Sequence, residues 1–209
     1  MTRPADIQAP QESTHRTTGD ITMAEADTAF FTDVTTLRER ARKSLGEGPV
    51  TPTYEGGVEQ AIDLLQGALA TEIVCVLRYQ MHAISASGID SKTVASEFEE
   101  HARSEAEHAK LLAERIDQLG GVPNFNPEGL ASRSATEYGK AGNLVEMMKE
   151  DLIAERVVID HYRELIRYFG DKDPTTRIML EHLLADEEEH AADLHDLLVA
   201  HQGKPFLKD

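Results

Sequence analysis

Apolar residues recur at alternating three- and four-residue steps over four long stretches, about 58–87, 91–120, 141–169 and 174–201. That period marks amphipathic helices. The first seam runs Ile62, Leu65, Leu69, Val76, Tyr79, Ala83, and the second Phe98, Ala102, Ala109, Leu112, Ile116, Leu119. The third runs Val145, Met148, Leu152, Ile159, Tyr162, Ile166, and the fourth Leu180, Leu183, Leu194, Leu197. Gly88, Gly120-Gly121, Gly170 and Gly203 stand where helices stop, and Asp173-Pro174 offers a cap and first position for the last helix. The first and second helices, and the third and fourth, are joined by only about four residues, which forces antiparallel neighbours.

The second and third helices are separated by residues 121–140, unusually long for a loop in a bundle. A helix of about 28 residues is roughly 42 Å long. A strap of about twenty residues, at up to about 3.3 Å each, spans that length. The pattern therefore predicts an all-α, antiparallel four-helix bundle with one long crossover between helices two and three. The bundle occupies 58–203 and residues 204–209 form a short tail. Ahead of it, residues 1–57 read as a polar tail to about 22, a short helix within 23–46 (Phe30, Phe31, Val34, Leu37), and a linker with Pro49 and Pro52.

The seams are interrupted at matching places. Glu72 breaks the first, Glu105 and His108 the second, Glu155 the third, Glu187 and His190 the fourth. Each half thus holds one lone Glu followed, thirty-three or thirty-two residues later, by a Glu-x-x-His pair. All fall near their helix midpoints, so they meet at one height. The i, i+3 spacing puts Glu and His on one helical face. Two Glu-x-x-His pairs are weak evidence alone. Four buried carboxylates without a seam Arg or Lys, however, cannot all stay charged in a low-dielectric core. Two divalent cations match that charge, with the imidazoles as neutral donors. Oxygen-rich donors with one His per metal suit iron or manganese.

Tyr79 and Tyr162 each follow a lone Glu by seven residues. Each is placed to contact the other half's carboxylate, or simply to pack. Asp186 could hold a ligand His through its second ring nitrogen, with Ser104 in the equivalent place on the second helix. His101, one heptad before His108, is a candidate accessory site. His82, His161, His182, His195 and His201 lack a Glu three residues earlier and, with His15 of the polar tail, read as surface or packing residues. Cys75 reads as a small packed side chain.

Composition adds exclusions. The 209 residues suit one domain with a sizeable core. A net charge of −17 opposes nucleic acid and anionic membranes. One cysteine excludes an intrachain disulfide framework. No apolar run is read as membrane-spanning, and the N-terminus lacks a signal peptide's apolar stretch, so the cytoplasm is the expected location.

On Glu72-Ile-Val-Cys-Val-Leu-Arg-Tyr79, Glu105-Ala-Glu-His108, Asp151-Leu-Ile-Ala-Glu155 and Asp186-Glu-Glu-Glu-His190, the chain resembles the ferritin-like di-iron carboxylate proteins. Among them it is most like the bacterioferritins and the bacterioferritin-like mini-ferritins of the Dps-like class. The resemblance covers about 58–201. It implies two irons per subunit, with Glu105 and Glu187 bridging, Glu72 and Glu155 terminal, and His108 and His190 completing one iron each. It implies ferroxidase activity on Fe²⁺ with O₂ or H₂O₂, and Fe³⁺ mineral stored in a homo-oligomeric cage. Ala106 stands where bacterioferritins place their haem-ligating Met, so no haem is expected. No fifth helix follows the fourth, which resembles twelve-subunit cages more than twenty-four-subunit shells. A di-metal oxidase, oxygenase or manganese catalase on the same bundle is the alternative. A Dps-type DNA-coating protein fits less well, because residues 1–50 carry six Lys or Arg against eight Asp or Glu.

Overall fold

Asp33 starts the first helix. Its carboxylate accepts the Thr36 amide at 3.1 Å, and α1 runs Val34–Lys43, with no buried residue. The structure, a computed structural model, describes residues 31–202 except 56, 89, 140 and 141. The start of the helix expected within 23–46, Phe30, the polar tail, Gly203 and the tail 204–209 all lie outside the described residues. The contacts divide the chain after Lys43, and α1 belongs to the first unit.

The second unit contains α2 (Val58–Ser85), α3 (Ser91–Gln118), a single turn α4 (Leu130–Arg133), α5 (Leu144–Phe169) and α6 (Pro174–Gln202). There is no strand among the described residues. α2 packs against α3 and α5 against α6 as two antiparallel hairpins, with α2 beside α5 and α3 beside α6. The core includes Leu65, Leu69, Phe98, Leu112, Ile116, Met148, Phe169, Leu180 and Leu183, all essentially inaccessible. Burying each such side chain stabilises the fold by about 1.5–3 kcal/mol. On α2 the buried face is displaced from the expected seam. Ile62, Val76 and Ala83 are half-buried, while Ala61, Ala68, Cys75, Arg78 and His82 are buried.

By length and composition α2 is apolar enough to cross a membrane, contrary to the sequence expectation. Its apolar positions are spent on the bundle core, and Glu72, Arg78 and His82 lie inside with them.

α3 ends because Gly120 takes φ +86°, a conformation that side chains with a Cβ rarely adopt. The Gly121 amide then donates to the Ile116 carbonyl, and a Cβ at Gly121 would meet the Ile116 and Ile62 side chains at 2.9 Å. The crossover that follows is clipped along α2. Gln66 donates to the Val122 carbonyl at 2.8 Å and accepts the Asn124 amide at 2.9 Å. Thr71 accepts the Ala135 amide at 2.9 Å, and Arg78 donates to the Glu137 carbonyl at 2.8 Å. The strap therefore runs parallel to α2 and delivers the chain to the far end. There Asn143 caps α5 by accepting the Glu146 amide.

Asp173 caps α6 by accepting the Thr176 amide at 2.9 Å. It also accepts from Arg115 of α3 at 2.9 and 3.0 Å and from the Tyr54 hydroxyl at 2.9 Å. Burial opposes its charge, yet the Thr176 and Arg115 donors hold its pKa below the usual aspartate value. Asp173→Ala is expected to cost about 2 kcal/mol, the upper end for a lost helix cap. Paired chemical-denaturation curves at one protein concentration check this; a change within error would show that the cap contributes nothing.

Candidate metal centre

Glu72 of α2, Glu105 and His108 of α3, Glu155 of α5, and Glu187 and His190 of α6 are brought to one place in the middle of the bundle. All four carboxylates are wholly buried, and both imidazoles nearly so. Two four-residue groups can be drawn among them, each with its donor atoms within 4.8 Å of one another. One comprises Glu72, Glu105, His108 and Glu187, and the other Glu105, Glu155, Glu187 and His190. Glu105 and Glu187 belong to both.

The ring nitrogens facing inward are both Nδ1. His108 Nδ1 lies 2.9 Å from Glu187 and 3.2 Å from Glu105, and His190 Nδ1 lies 3.3 Å from Glu105 and 3.5 Å from Glu187. Despite this crowding, one oxygen each of Glu72, Glu105 and Glu155, both oxygens of Glu187, and His190 Nδ1 have no partner of hydrogen-bond geometry. Buried polar atoms are rarely left so. These donors fit a pair of divalent cations, whose absence would leave them unsatisfied.

The residues around the cluster fix its orientation. Tyr79 of α2 donates to Glu155 of α5, and Tyr162 of α5 donates to Glu72 of α2, so the tyrosines cross between the halves. Burial, then the nearby carboxylates, push both phenols well above their ordinary pKa. Asp186 and Ser104 both address the outer nitrogen of His108, at 3.3 and 3.4 Å. The two-fold pattern is broken here, because the His190 ring instead stacks on His101, centroids 4.2 Å apart.

Protonation follows from burial and proximity. Burial, then the charges of Glu105 and Glu187, raise Glu72 and Glu155 well above the carboxylate range. Burial would raise Glu105 also, but its interactions with Glu72, His108 and His190 outweigh that and hold it well below. Burial opposes charge on the imidazoles, yet the carboxylates raise His108 strongly and His190 to about 9. Without metal, burial and mutual repulsion thus favour the neutral forms of Glu72 and Glu155, while Glu105 keeps its charge beside the two imidazoles.

Cation binding must displace these protons, so affinity rises with pH. The folded pKa of His190, about 9, exceeds its unfolded value near 6.5. Its contribution to apo stability is therefore complete below about pH 6.5 and lost as pH rises through about 9. The raised Glu72 and Glu155 act in the same direction. Apo-protein melting temperatures are expected to fall from pH 6.5 to 9 while Mn²⁺ affinity increases. A flat or rising apo profile would refute this protonation pattern.

Sequence reasoning missed a second buried ionic group. Asp151 of α5 accepts from Arg78 Nε at 3.0 Å and lies 2.8 Å from His82 Nδ1, all three wholly or almost wholly buried. A buried arginine is thus present, contrary to expectation for the seam, but it is committed to Asp151 and the Glu137 carbonyl rather than to the cluster. His82 is a packed residue, in an ionic setting. Cys75 is buried near Arg78 and Thr136. The available signal was the i, i+4 spacing of Arg78 and His82.

Residues 62–202 match the ferritin-like domain family. The nutrient stress-induced DNA-binding protein of Synechococcus sp. is 34% identical over 137 residues, 63% of this chain and 77% of that protein. The bacterioferritin of Mycobacterium avium is 30% identical over 139 residues, 64% and 80% of the two chains. Among solved structures, the bacterioferritin-related protein of Bacteroides fragilis, a dodecameric thioferritin, superposes with a TM-score of 0.67 at 33% identity. That match covers 82% of this chain and 99% of the other.

Proposed function

The chain belongs to the ferritin-like domain family, and from that premise we propose that it is a ferroxidase that detoxifies and stores iron. The observation that carries this reading is the pair of donor groups sharing Glu105 and Glu187, each with its own Glu and His. Two Fe²⁺ ions are the substrate. Each gives up one electron, and the pair reduces O₂ to H₂O₂, or H₂O₂ to two waters, with two protons taken up in either case. The shared carboxylates hold both ions, so the two electrons leave in one event. Glu72 and Glu155 take one ion each, oriented by Tyr162 and Tyr79, and His108 is aimed by Asp186 and Ser104. Manganese fits the same donors.

An acidic cavity of about 270 Å³ reaches His190 and is lined by Glu97, Glu100, Asp186, Glu189 and Asp193. Such a lining suits a cation better than an organic substrate, and so favours iron handling over an oxidase or oxygenase on the same bundle. Storage needs an internal space that a filled bundle lacks, so we propose a hollow homo-oligomer, twelve subunits being favoured. Exposed Leu77 and Ile84 on α2, and Ile153 and Val157 on α5, give apolar surface for subunit contacts. The DNA binding in the name of the Synechococcus relative is not carried over, because a net charge of −17 opposes phosphate contacts. A cytoplasmic location is part of the proposal.

The test is aerobic Fe²⁺ loading followed by light scattering and iron analysis. A stable assembly retaining iron far beyond two ions per subunit supports storage. A monomer or dimer that stops at two favours the oxidase alternative.

A further inference from the structure

Outside the six-residue cluster, one buried histidine points an unpartnered ring nitrogen at two carboxylates. Tyr79 has one hydroxyl proton, which it donates to Glu155. His101 Nδ1 lies 3.2 Å from the same hydroxyl oxygen. That contact occupies Nδ1. The ring's other nitrogen is Nε2. It is buried and has no hydrogen-bond partner.

What Nε2 faces is not a donor. Glu97 Oε1, one helical turn earlier on α3, lies 3.5 Å away, and Asp193 Oδ2 of α6 lies 3.9 Å away. One ring nitrogen and two carboxylate oxygens converge there. The separations exceed a hydrogen bond. The first matches two donors sharing one ion, and the second lies just beyond: at about 2.1 Å from the metal and roughly 110–130° apart, two donors are about 3.4–3.8 Å from each other. Glu97, His101 and Asp193 lie within 4.8 Å as a possible ligand set, and all three line the acidic cavity.

The geometry points to a third divalent-metal site, formed by Glu97, His101 Nε2 and Asp193, at the wall between the acidic cavity and the buried cluster. Its two oxygens and one nitrogen take Fe²⁺, Mn²⁺, Co²⁺ or Zn²⁺. The His101 ring stacks on that of His190, so the site stands beside the cluster without using any of its six donors. It lies where a cation entering through the cavity meets its first nitrogen ligand. The inference does not depend on the ferroxidase reading.

Glu97 and Asp193 are partly exposed, so Glu97→Gln with Asp193→Asn leaves the fold and His101 in place. Crystals of the full chain soaked anaerobically in Co²⁺ are expected to show an anomalous peak among the three residues. The double variant is expected to lose that peak and keep those at the cluster. Equilibrium dialysis with Co²⁺ should fall by one ion per subunit. A wild-type peak here with none in the cluster would support this site while removing the ferroxidase reading. No peak here in the wild type, or one that persists in the double variant, would overturn the inference.

Discussion

Glu105→Ala and Glu187→Ala are each expected to abolish paired metal binding and to slow Fe²⁺ oxidation by roughly 100-fold or more, since losing even the outer partners of metal ligands costs 10–100-fold. Both residues belong to both donor groups, so either truncation damages two ion positions at once. Glu72→Ala and Glu155→Ala each strip one group only, and should leave one ion bound with oxidation impaired. Anaerobic Mn²⁺ titration gives the stoichiometry and stopped-flow oxidation the rate. Equal loss for all four variants would remove the distinction between shared and terminal carboxylates. Stability separates them too. Glu105 is the ionised partner of two imidazoles, so its removal should cost the apo-protein about 1–3 kcal/mol, the usual penalty for stranding a buried polar partner. Glu155→Gln keeps an acceptor for Tyr79 and replaces a carboxyl whose neutral form burial already favours, and should be nearly neutral.

The parts of this site that obey helical periodicity were legible in the sequence. Glu72, Glu105, Glu155 and Glu187 occupy places that a seam reserves for hydrophobes, and their near-midpoint positions forced a common height. The crossing of Tyr79 and Tyr162 was visible as one seven-residue offset occurring twice. The strap was legible only as a length. Its attachment through Gln66, Thr71 and Arg78 follows from side chains on an outward face of α2, which no periodicity marks. Arg78, His82 and Asp151 escaped for a similar reason. They stand about one position off the seam, where charged residues are ordinarily solvated, and only the approach of the strap and α5 buries them. The meeting of Glu97 and His101 with Asp193 was beyond reach as well, because Asp193 comes from a different helix.

That overlooked ionic group has a large expected effect of its own. Asp151→Ala should destabilise the protein by about 3–5 kcal/mol, the cost of stranding a buried charge. In a domain of this size that lowers the melting temperature by roughly 10 °C. The carboxylate is wholly buried and is the anionic partner of the Arg78 guanidinium. Arg78 cannot discard its proton at accessible pH, because burial opposes its charge but Cys75 and Asp151 hold its pKa above the ordinary arginine value. Arg78 also donates to the Glu137 carbonyl, so its displacement should loosen the strap, seen as faster proteolysis within residues 121–143. Arg78→Met combined with Asp151→Leu removes both charges and fills the space, and should recover most of the loss. Melts of both variants and the wild type at one protein concentration decide the matter. An Asp151→Ala protein as stable as the wild type would show that the pair holds nothing together. A double variant no better than the single would place the effect in packing and the strap hydrogen bond rather than in the stranded charge.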